Sequence, residues 1–591
     1  MEFKQITPFL SVSAQLGVGD IGIAAAHGFK SIVNNRPDGE SDDQPEAAAI
    51  EQAAIANGLA YRHIPVVSGK VADDDVEAFA AALGELKGPV LAFCRTGTRS
   101  STLWALSEAW HLEPDAILAA TPAAGYDLSG LLPRLEVRAR TGALAEAAME
   151  SRDMLPKARA AQHDVVIVGG GAGGISVASG LLKRRPELDV AIVEPREFQY
   201  YQPGWTLVGG GVFDRAQTER RMADVMPKGV HWIRSAAAAF EPDRNEVVLE
   251  DGERIGYRVL VAAPGIKLDW DGIEGLKQTL GKNGVTSNYL FDMAPYTWEL
   301  VQSLRSGTAL FTQPPMPIKC AGAPQKAMYL ACDYWRRTGR LKDIDVAFKN
   351  AGGVLFGVKN YVPALMNYVD RYGIDLDLNQ NLVAVDGPAK TAWFDVKQED
   401  GSVARQERRF DMMHVCPPQK APDSIRVSPL AAESGWIEVN DETLQHARFG
   451  NVFGLGDACS APNAKTAAAI RKQAPVVAEN VVAVLDDKAP RAIYDGYGSC
   501  PLTVERGKIV MAEFGYGGKL LPTFPTWLVD GTKPSARAWF LKEKMLPPHY
   551  WHMLLKGREW WVEPEILPHT PTPFEAQPAC ETGQEAAVRQ G

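Results

Sequence analysis

Two cysteines, Cys320 and Cys500, have neighbours that suit thiol chemistry. Cys320 follows Lys319 and precedes a Gly-Ala-Pro turn that opens a predicted helix. A cation and a helix N-terminus both lower the pKa of a thiol and favour the nucleophilic thiolate. Cys500 lies in a loop rich in Gly and Tyr, YDGYGSC, before a predicted strand. The two residues can therefore support thiol–disulfide exchange, and the alternative of two structural core thiols stays open.

The cysteines as a set predict neither a disulfide framework nor a metal site. Their number is odd, they are widely scattered, and no two of them have C-x-x-C spacing. We therefore expect no bound metal and expect the cysteine chemistry to be catalytic, with Cys332 and Cys416 in the core and Cys459 a bystander. The seven are Cys94, Cys320, Cys332, Cys416, Cys459, Cys500 and Cys580.

Cys94 stands in PVLAFCRTGTRSS, between a predicted buried strand and a predicted helix. Loop N–H groups, Arg99 and the helix dipole would converge on its sulfur and hold it as thiolate. Tyrosine-phosphatase loops share this design but place five residues between Cys and Arg, a ring wide enough for phosphate. The four residues here resemble rhodanese-type loops, which hold a persulfide. Asp73, Asp74 and Asp75 are candidates for a phosphatase general acid, although a charge run before a helix favours an N-cap.

A glycine-rich turn predicts a dinucleotide site. DVVIVGGGAGG places a buried apolar strand directly before Gly-x-Gly-x-x-Gly, and a helix follows. In such units the backbone approaches a pyrophosphate at the helix N-terminus. The strand VAIVEP then ends in Glu194, at the distance expected for a carboxylate that binds a ribose hydroxyl. The predicted contacts in the turn are Gly169, Gly171, Ala172, Gly173 and Gly174.

Two later strands indicate which dinucleotide is bound. YRVLVAAPG ends in a small-residue turn at Gly265, and NVFGLGDA ends in Asp457. This pair resembles flavoproteins with two dinucleotide-binding domains, in which the late Asp bonds the ribityl chain of FAD. The following helix, from about Lys465, would point its N-terminus at the isoalloxazine. The predicted cofactor is therefore FAD, and Ala237 is also assigned to its site.

The inserted domain lacks the second glycine-rich turn that such flavoproteins use for NAD(P)H. The corresponding segment, IDVAFKNAGGVLFGV, has Ala-Gly-Gly followed by the bulky Val354, Leu355 and Phe356. We therefore expect that a pyridine nucleotide is not the electron donor.

The predicted fold class is α/β: a tandem-Rossmann flavoprotein preceded by an α/β phosphatase-like domain. Strand-like and helix-like patterns alternate in two long stretches, which an Ala- and charge-rich segment separates. The predicted parts are an N-terminal domain at 1–115, a helical linker at 116–160, an FAD-binding domain at 161–285 and 421–530, an inserted domain at 286–420 carrying Cys320, an amphipathic region at 531–569 and a disordered tail at 570–591.

The net charge and the hydropathy of the chain limit the kinds of partner that it can have. A net charge of -10 argues against nucleic acid, which binds to positive surface. The start, MEFKQITPFLSVSAQ, has no signal-peptide pattern, and no run of 18 apolar residues occurs, so we expect a cytoplasmic, non-spanning protein. Residues 533–561 interleave Trp, Phe, Leu and Met with Lys and Arg, as interfacial helices do. A core-packing helix with a basic outer face is the alternative.

Several motifs together resemble the type II sulfide:quinone oxidoreductases. The resemblance implies that Cys320 and Cys500 are a redox-active pair on the flavin face, which cycles through disulfide and persulfide forms. Sulfide would attack the bridged pair and leave a persulfide on Cys500, and two electrons would pass through FAD to a membrane quinone. Gln202 and Lys465 fall at flavin contacts, and the enzyme would sit peripherally on the inner membrane. The motifs are GGGAGG, EPREFQYYQPGWTLVGGG, KCAGAPQKAMYL, FGVKNY, ETLQHARFGNVFGLGDA, AKTAAA and YDGYGSCPL, within about 163–560.

The N-terminal segment resembles a phosphatase-like domain family that is sometimes fused to sulfur-metabolising hydrolases. Beside a sulfide oxidase, sulfur transfer by Cys94 is favoured over phosphatase activity. The sulfur acceptor would be a small thiol, sulfite or Cys94 itself. Two other functions stay open: a type II NADH:quinone dehydrogenase, which needs a second nucleotide loop, and a persulfide sensor or carrier whose flavin only reports redox state.

Overall fold

The computed structural model describes residues 3–138 and 161–568, apart from residues 42, 110, 111, 113, 122, 123, 137, 399, 463, 464, 560 and 561. The chain divides into two compact units, residues 1–158 and 159–591. Most of the predicted linker, the predicted tail and Cys580 lie outside the described residues.

The first unit is a mostly parallel sheet flanked by helices. The order across the sheet places the strand Val90–Phe93 in the centre, between Leu10–Ser13 and Ser31–Asn34. All four residues of this central strand are buried, so its carboxyl end delivers Cys94 to the sheet edge. The strands are Lys4–Gln5, Leu10–Ser13, Ser31–Asn34, Ala60–His63 and Val90–Phe93; the helices are Asp20–Ala26, Ala47–Ala56, Asp73–Glu85, Thr98–Glu108 and Pro114–Ala120.

The N-terminal unit extends beyond the predicted boundary at residue 115. Ile117, Tyr126, Leu128 and Leu135 are all buried in the same core as the first helices. Their irregular spacing gives no helical stripe, and for that reason the sequence pattern resembled a linker.

The second unit begins with the predicted dinucleotide fold. Its seven-stranded sheet has Ala161–Val168 between two parallel neighbours, Val190–Val193 and Arg254–Ala262. The helices Ala172–Arg184 and Ala467–Leu485 pack against one another on this sheet. Apolar residues on both faces bury these strands, as a parallel sheet requires. The other strands are Val230–Ile233, Ala237–Glu241, Glu246–Leu249 and Val452–Gly454.

A second parallel sheet follows inside the first fold. Its order is Val285–Thr286, Met412–His414, Gly307–Gln313, Ile344–Asn350 and Asp375–Leu378. The helices of this domain are Ala294–Ser303, Ala323–Arg337 and Val362–Tyr372, and an antiparallel sheet of Gln380–Asp386, Thr391–Lys397 and Val403–Arg409 follows them. Short elements elsewhere in the unit are the strands Phe198–Tyr200, Glu219–Arg221, Lys267–Leu268, Gln419–Lys420, Ala492–Ile493 and Glu565–Ile566, and the helices Trp205–Val208, Met222–Val225, Leu276–Thr279 and Asp423–Arg426.

A hairpin of Gly498–Glu505 and Lys508–Phe514 corrects the predicted domain limits. The sequence assigned these residues to the FAD-binding domain and put Cys500 in a loop. In the structure Cys500 lies within the first strand, and the hairpin packs on the helix Ala323–Arg337 of the inserted domain. The hairpin therefore packs on the inserted domain although it follows the FAD-binding segment in sequence. Neighbouring residues in the sequence do not indicate this packing.

The C-terminal segment is one helical run with a local change of pitch. Ala536–Phe540 is α-helical, Leu541–Met545 forms a π-turn and Leu546–His552 is α-helical again. The π-turn precedes Pro547 and Pro548 and accommodates their missing N–H groups. Among the described residues, no helix combines the length and apolar character needed to cross a bilayer.

Candidate active site

A cleft of about 1100 Å³ is formed by both sheets of the second unit together with the C-terminal helices. It brings together residues that are far apart in sequence. Of the predicted site residues it is lined by Gly169, Gly171, Ala172, Gly173, Glu194, Gln202, Ala237, Gly265, Cys320, Asp457 and Lys465. Gly174 and Cys500 are not among the residues that line it.

The glycine-rich turn has the shape that the sequence predicts. Gly169 has φ +107°, and a Cβ there would lie 2.3 Å from the carbonyl oxygen of Ala263. A Cβ on Gly174 would lie 1.9 Å from the carbonyl oxygen of Gly169, so the helix packs directly on the strand. Nothing lies within 4 Å of a Cβ on Gly171, which faces open cleft. This is where a pyrophosphate can approach the backbone.

Glu194 is buried and held by the main chain. Its carboxylate accepts hydrogen bonds from the N–H groups of Gly170 at 2.8 Å and Arg196 at 2.9 Å. The carboxylate is thereby fixed at the end of its strand, on the cleft wall. A ribose hydroxyl can donate to the lone pairs that remain.

Several polar atoms of the cleft wall suit a bound dinucleotide. In the part of the chain that the structure describes, the side-chain amide of Asn288, the hydroxyl of Thr206 and the indole N–H of Trp205 are buried without a hydrogen-bond partner. Buried polar groups rarely stay unpaired, so a polar ligand would satisfy them. The residues present therefore fit FAD.

Asp457 and Lys465 lie together at the end of the late strand. The Lys465 amine donates to the carbonyl oxygens of Asp457 at 2.8 Å and Cys459 at 2.9 Å. Burial raises the pKa of Asp457, although Lys319 and Lys465 act in the opposite direction. The following helix begins at Ala467, capped by Thr466, two residues later than predicted, and its first turn lines the cleft.

The two predicted cysteines meet at the far end of the cleft. The Sγ atoms of Cys320 and Cys500 are 3.7 Å apart, beyond a bond of about 2.05 Å but in contact. Cys320 has φ +51°, a conformation that costs a non-glycine residue energy and is common at functional sites. Its N–H donates to the carbonyl oxygen of Lys465 at 2.9 Å, so the FAD-binding fold holds the turn.

The two sulfurs are electrostatically unequal. The Lys326 amine lies 3.1 Å from the Sγ of Cys320. The hydrogen bond from Cys500 and the Lys326 charge hold the pKa of Cys320 well below its ordinary value, against the effect of burial. The same hydrogen bond and burial raise the pKa of Cys500. These interactions favour the thiolate at Cys320 and the thiol at Cys500.

The cation beside Cys320 is not the one that the sequence suggested. Lys319 directs its amine to the side-chain oxygen of Gln202, and its side chain lines the cleft. Lys326 takes the predicted role because the helix starts at Ala323 and its first turn brings Lys326 back over the sulfur. The sequence signal for this contact was the spacing: Cys320 precedes the helix, and Lys326 follows six residues later in its first turn.

A second buried amine was missed entirely. Lys542 is 2% exposed, lies on the π-turn of the C-terminal run and lines the cleft. Its amine donates to the carbonyl oxygen of Pro203 at 3.4 Å. Burial and the neighbouring Lys326 lower the pKa of Lys542 to about 7. The sequence placed this residue on a membrane-facing helix, where nothing indicated burial.

The remaining described cysteines of this unit are buried, Cys332 and Cys416 as the predicted core residues and Cys459 beside Asp457. Cys332, Cys416 and Cys459 are each at most 1% exposed. Burial raises the pKa of Cys416 to about 12 and raises that of Cys459 as well. Cys459 also donates to the carbonyl oxygen of Gly456, so it is a satisfied thiol.

The close approach of the two sulfurs depends on Gly322. A Cβ there would lie 2.5 Å from the Sγ of Cys500 and 2.5 Å from a methyl of Leu502. We expect Gly322→Ala to slow disulfide formation between Cys320 and Cys500 by about 10-fold, because overpacking costs about 1–3 kcal/mol. Mass spectrometry of the pair during mild oxidation measures this rate.

Gly357→Ala is the matched control, since Gly357 is exposed in the same domain and its Cβ would meet no atom within 4 Å. Equal oxidation rates in Gly322→Ala and the control would show that Gly322 does not set the sulfur contact.

In the N-terminal unit, the Cys94 loop closes on its own sulfur. The Gly97 N–H donates to the Sγ of Cys94 at 3.2 Å, and Cys94 is 1% exposed. Gly97 has φ +89° and immediately precedes the helix Thr98–Glu108. Arg99 is buried in the first turn of that helix.

The three aspartates lie further into the helix than the predicted N-cap, because Ala72 occupies the N-cap position. Asp73, Asp74 and Asp75 form the first turn of the helix Asp73–Glu85. The Asp75 carboxylate accepts from the Ala72 N–H at 2.8 Å, and Asp73 pairs with Arg134 at 2.6 Å. Their carboxylates therefore stabilise the helix start.

Two family models match the chain. The model "Beta-lactamase hydrolase-like protein, phosphatase-like domain" matches residues 2–111, and the model "Pyridine nucleotide-disulphide oxidoreductase" matches residues 163–301.

Known proteins and solved structures also match the N-terminal part and the larger C-terminal part of the chain separately. The mitochondrial sulfide:quinone oxidoreductase of Dictyostelium discoideum is 42% identical over 412 residues, covering 69% of the chain and 89% of that protein. The beta-lactamase hydrolase-like protein of Xylella fastidiosa strain 9a5c is 36% identical over 141 residues, 24% of the chain and 33% of that protein. The crystal structure of the Aquifex aeolicus sulfide:quinone oxidoreductase has the same fold, with TM-score 0.57, 19% identity and coverage of 71% of the chain and all of that structure.

Proposed function

The chain belongs to the sulfide:quinone oxidoreductase family, and from this membership we propose that Cys320 and Cys500 oxidise sulfide and that the electrons reach a membrane quinone. The observation that carries the proposal is the sulfur–sulfur contact of 3.7 Å with the Lys326 amine 3.1 Å from Cys320, at the end of the FAD cleft. FAD, when bound, supplies the two-electron relay between the sulfurs and the quinone.

The unequal sulfurs support one direction of attack. In thiol–disulfide exchange the thiol of lower pKa leaves faster, and the Lys326 charge makes Cys320 the better leaving group. Hydrosulfide therefore attacks the Cys500 sulfur of the bridged pair. The Cys320–Cys500 bond breaks, a persulfide forms on Cys500, and Cys320 departs as a thiolate beside Lys326.

The cycle closes when the sulfane sulfur leaves. A nucleophilic acceptor, a small thiol or sulfite, attacks the outer sulfur of the Cys500 persulfide and releases Cys500 as a thiolate. The two thiolates re-form their disulfide and give up two electrons, which would reach the quinone through bound FAD. The quinone takes two protons, one brought by hydrosulfide and one from the acceptor thiol or from solvent.

The loop at the end of Ile344–Asn350 supports sulfide rather than a pyridine nucleotide as the reductant. Leu355 and Phe356 are buried there in the core, and Phe356 contacts the rings of Tyr361 and Phe514. Bulky side chains thus stand where a nucleotide loop would need small ones.

Anaerobic titration tests the proposal. With sulfite present as the sulfur acceptor, sulfide is expected to bleach the flavin absorbance of the purified protein, and a short-chain quinone is expected to restore it through many cycles. Bleaching by NADH and not by sulfide would favour the dehydrogenase instead, and a single reduction without turnover would favour the sensor.

We also propose that the C-terminal segment docks on the membrane. Trp527, Phe540 and Met545 are 79%, 55% and 51% exposed, and Lys533 and Lys544 lie exposed among them. Exposed apolar side chains flanked by lysines suit the interface of an anionic bilayer. Lys542, between Phe540 and Met545, faces inward to the cleft, so the same segment would join the lipid surface to the cleft.

For the N-terminal unit we propose sulfur transfer through Cys94. The contracted loop and the Gly97 N–H donated to its sulfur support a bound persulfide. We expect Cys94→Ser to lose transfer of sulfane sulfur from thiosulfate to cyanide, by at least about 1000-fold, because the nucleophile is gone. The product thiocyanate is measured colorimetrically.

The flavin cycle serves as the internal control, since Cys94→Ser is expected to keep wild-type sulfide:quinone turnover. Full thiocyanate formation by the Cys94→Ser variant would assign that activity to the flavin-site cysteines.

A further inference from the structure

Arg99, in the Cys94 loop, has one edge of its guanidinium fully occupied. Its Nη1 and Nη2 donate to the two carboxylate oxygens of Glu40, both at 2.7 Å. Nη1 donates a second time to the carbonyl oxygen of Val66 at 2.6 Å. Glu40 is itself held by Arg36, whose Nε donates to it at 2.8 Å. The guanidinium therefore has a fixed plane and a fixed orientation.

The opposite edge of Arg99 faces the Cys94 sulfur. A guanidinium has five N–H donors, and these contacts use three of them. The two that remain, on Nε and Nη2, are parallel, and they lie on the side of the guanidinium that interacts with the Cys94 sulfur. Arg99 is only 7% exposed, so this edge is desolvated. Burial acts to lower the pKa of Arg99, but the hydrogen bonds to Glu40 and the neighbouring Cys94 outweigh it and raise that pKa.

Two parallel N–H donors recognise a group with two oxygens on one atom. Such a pair binds an oxyanion bidentately, with charge-assisted hydrogen bonds. Beside the Cys94 sulfur the oxyanion must belong to the molecule that reacts with that sulfur. Sulfite and thiosulfate place their oxygens one bond from the reacting sulfur, whereas an organic persulfide carries none.

We infer that Glu40 is a positioning residue that makes the Cys94 loop selective for sulfur compounds bearing an oxyanion, by fixing Arg99 with one edge toward the reacting molecule. The inference rests on the sulfur transfer proposed above. The sulfur of sulfite attacks the outer sulfur of the Cys94 persulfide, that S–S bond breaks, and thiosulfate leaves with Cys94 as a thiolate. The reverse reaction loads Cys94 from thiosulfate and releases sulfite, so no further oxidant is needed.

Glu40→Asp in the full-length protein tests the geometry while keeping the charge. One methylene less withdraws the carboxylate from the Arg99 fork. We expect the KM for thiosulfate to rise roughly tenfold, the weight of one charge-assisted hydrogen bond. Loading from 2-hydroxyethyl persulfide, which has no oxyanion, is expected to stay unchanged. Glu77→Asp, on an exposed position of the helix Asp73–Glu85, is the control.

Glu40→Gln separates orientation from charge. If Glu40 only neutralised Arg99, Glu40→Asp would behave as wild type and Glu40→Gln would bind thiosulfate more tightly. That result would overturn the inference. If Glu40→Asp lost activity equally with thiosulfate and with 2-hydroxyethyl persulfide, the inference would also be overturned, because that result would indicate general damage to the loop.

Protection of Cys94 from alkylation gives a reading that does not depend on transfer. Sulfite is expected to slow labelling by iodoacetamide in the wild type, with a roughly tenfold weaker effect in Glu40→Asp. If no donor loads Cys94 and this difference persists, the sulfur-transfer proposal fails while the role of Glu40 stands. If transfer proceeds and both KM and protection are unchanged in Glu40→Asp, the role of Glu40 fails alone.

Discussion

Cys320→Ser and Cys500→Ser are each expected to reduce the rate at which sulfide bleaches the flavin by at least about 1000-fold. Neither variant can form the disulfide that sulfide attacks, and the wall of the cleft offers no other thiol, because the remaining described cysteines of this unit are core residues. Anaerobic stopped-flow absorbance of the flavin measures the rate directly.

The two variants are expected to lose nearly the same amount, because the two sulfurs act as one unit and removing either one removes the bridge. Cys459→Ser is the matched control: it lies beside Asp457 but is satisfied by a carbonyl oxygen, so wild-type bleaching is expected. Undiminished bleaching in Cys500→Ser would show that sulfide reaches the flavin without the Cys500 sulfur.

Chemistry carried by local sequence was predictable here. The glycine turn, Glu194 and the late Asp457 each follow a buried strand, and a strand's carboxyl end fixes where its next residues lie. These strands run parallel in one sheet, so their carboxyl ends lie at the same edge. The structure therefore gathers the residues that follow them in one cleft. The α/β class followed from the same alternation of strands and helices.

What depends on long-range packing was not predictable. Cys500 reaches Cys320 because a hairpin, 180 residues further along, packs on the helix that follows Cys320. Only the family resemblance joined the two residues at the sequence level. The extension of the N-terminal unit past residue 115 was not predictable for a related reason. Tyr126 and Leu135 are buried in its core, but the sequence around them has no periodic apolar pattern.

The charges at the sulfur pair show the same limit on a smaller scale. Lys319 is adjacent to Cys320 in sequence but turns to Gln202, while Lys326 and Lys542 come from a helix face and a distant π-turn. Lys326 and Lys542 are each 2% exposed, although lysine side chains are rarely buried in proteins. Buried amines of this kind need an anion nearby, and the Cys320 thiolate is the anion that the site provides.

Lys326→Met is therefore expected to lower the rate of flavin reduction by sulfide about 10- to 100-fold at neutral pH. The Lys326 amine lies 3.1 Å from the Cys320 sulfur and stabilises the thiolate that leaves when the disulfide is attacked. Methionine fills a similar volume without charge, so the cleft should keep its shape and its flavin.

The pH profile of that variant gives the decisive reading. In the wild type the pKa of Cys320 is held low, so the thiolate persists as the pH falls through the neutral range. Without the Lys326 charge the pKa rises, and the thiolate is lost at a higher pH as the solution is acidified. The acid limb of the rate profile is thus expected to move upward, and the deficit is expected to shrink in alkaline solution. Lys359→Met, on the surface of the same domain, should show neither effect, whereas an unmoved acid limb in Lys326→Met would mean that this amine does not control the thiolate.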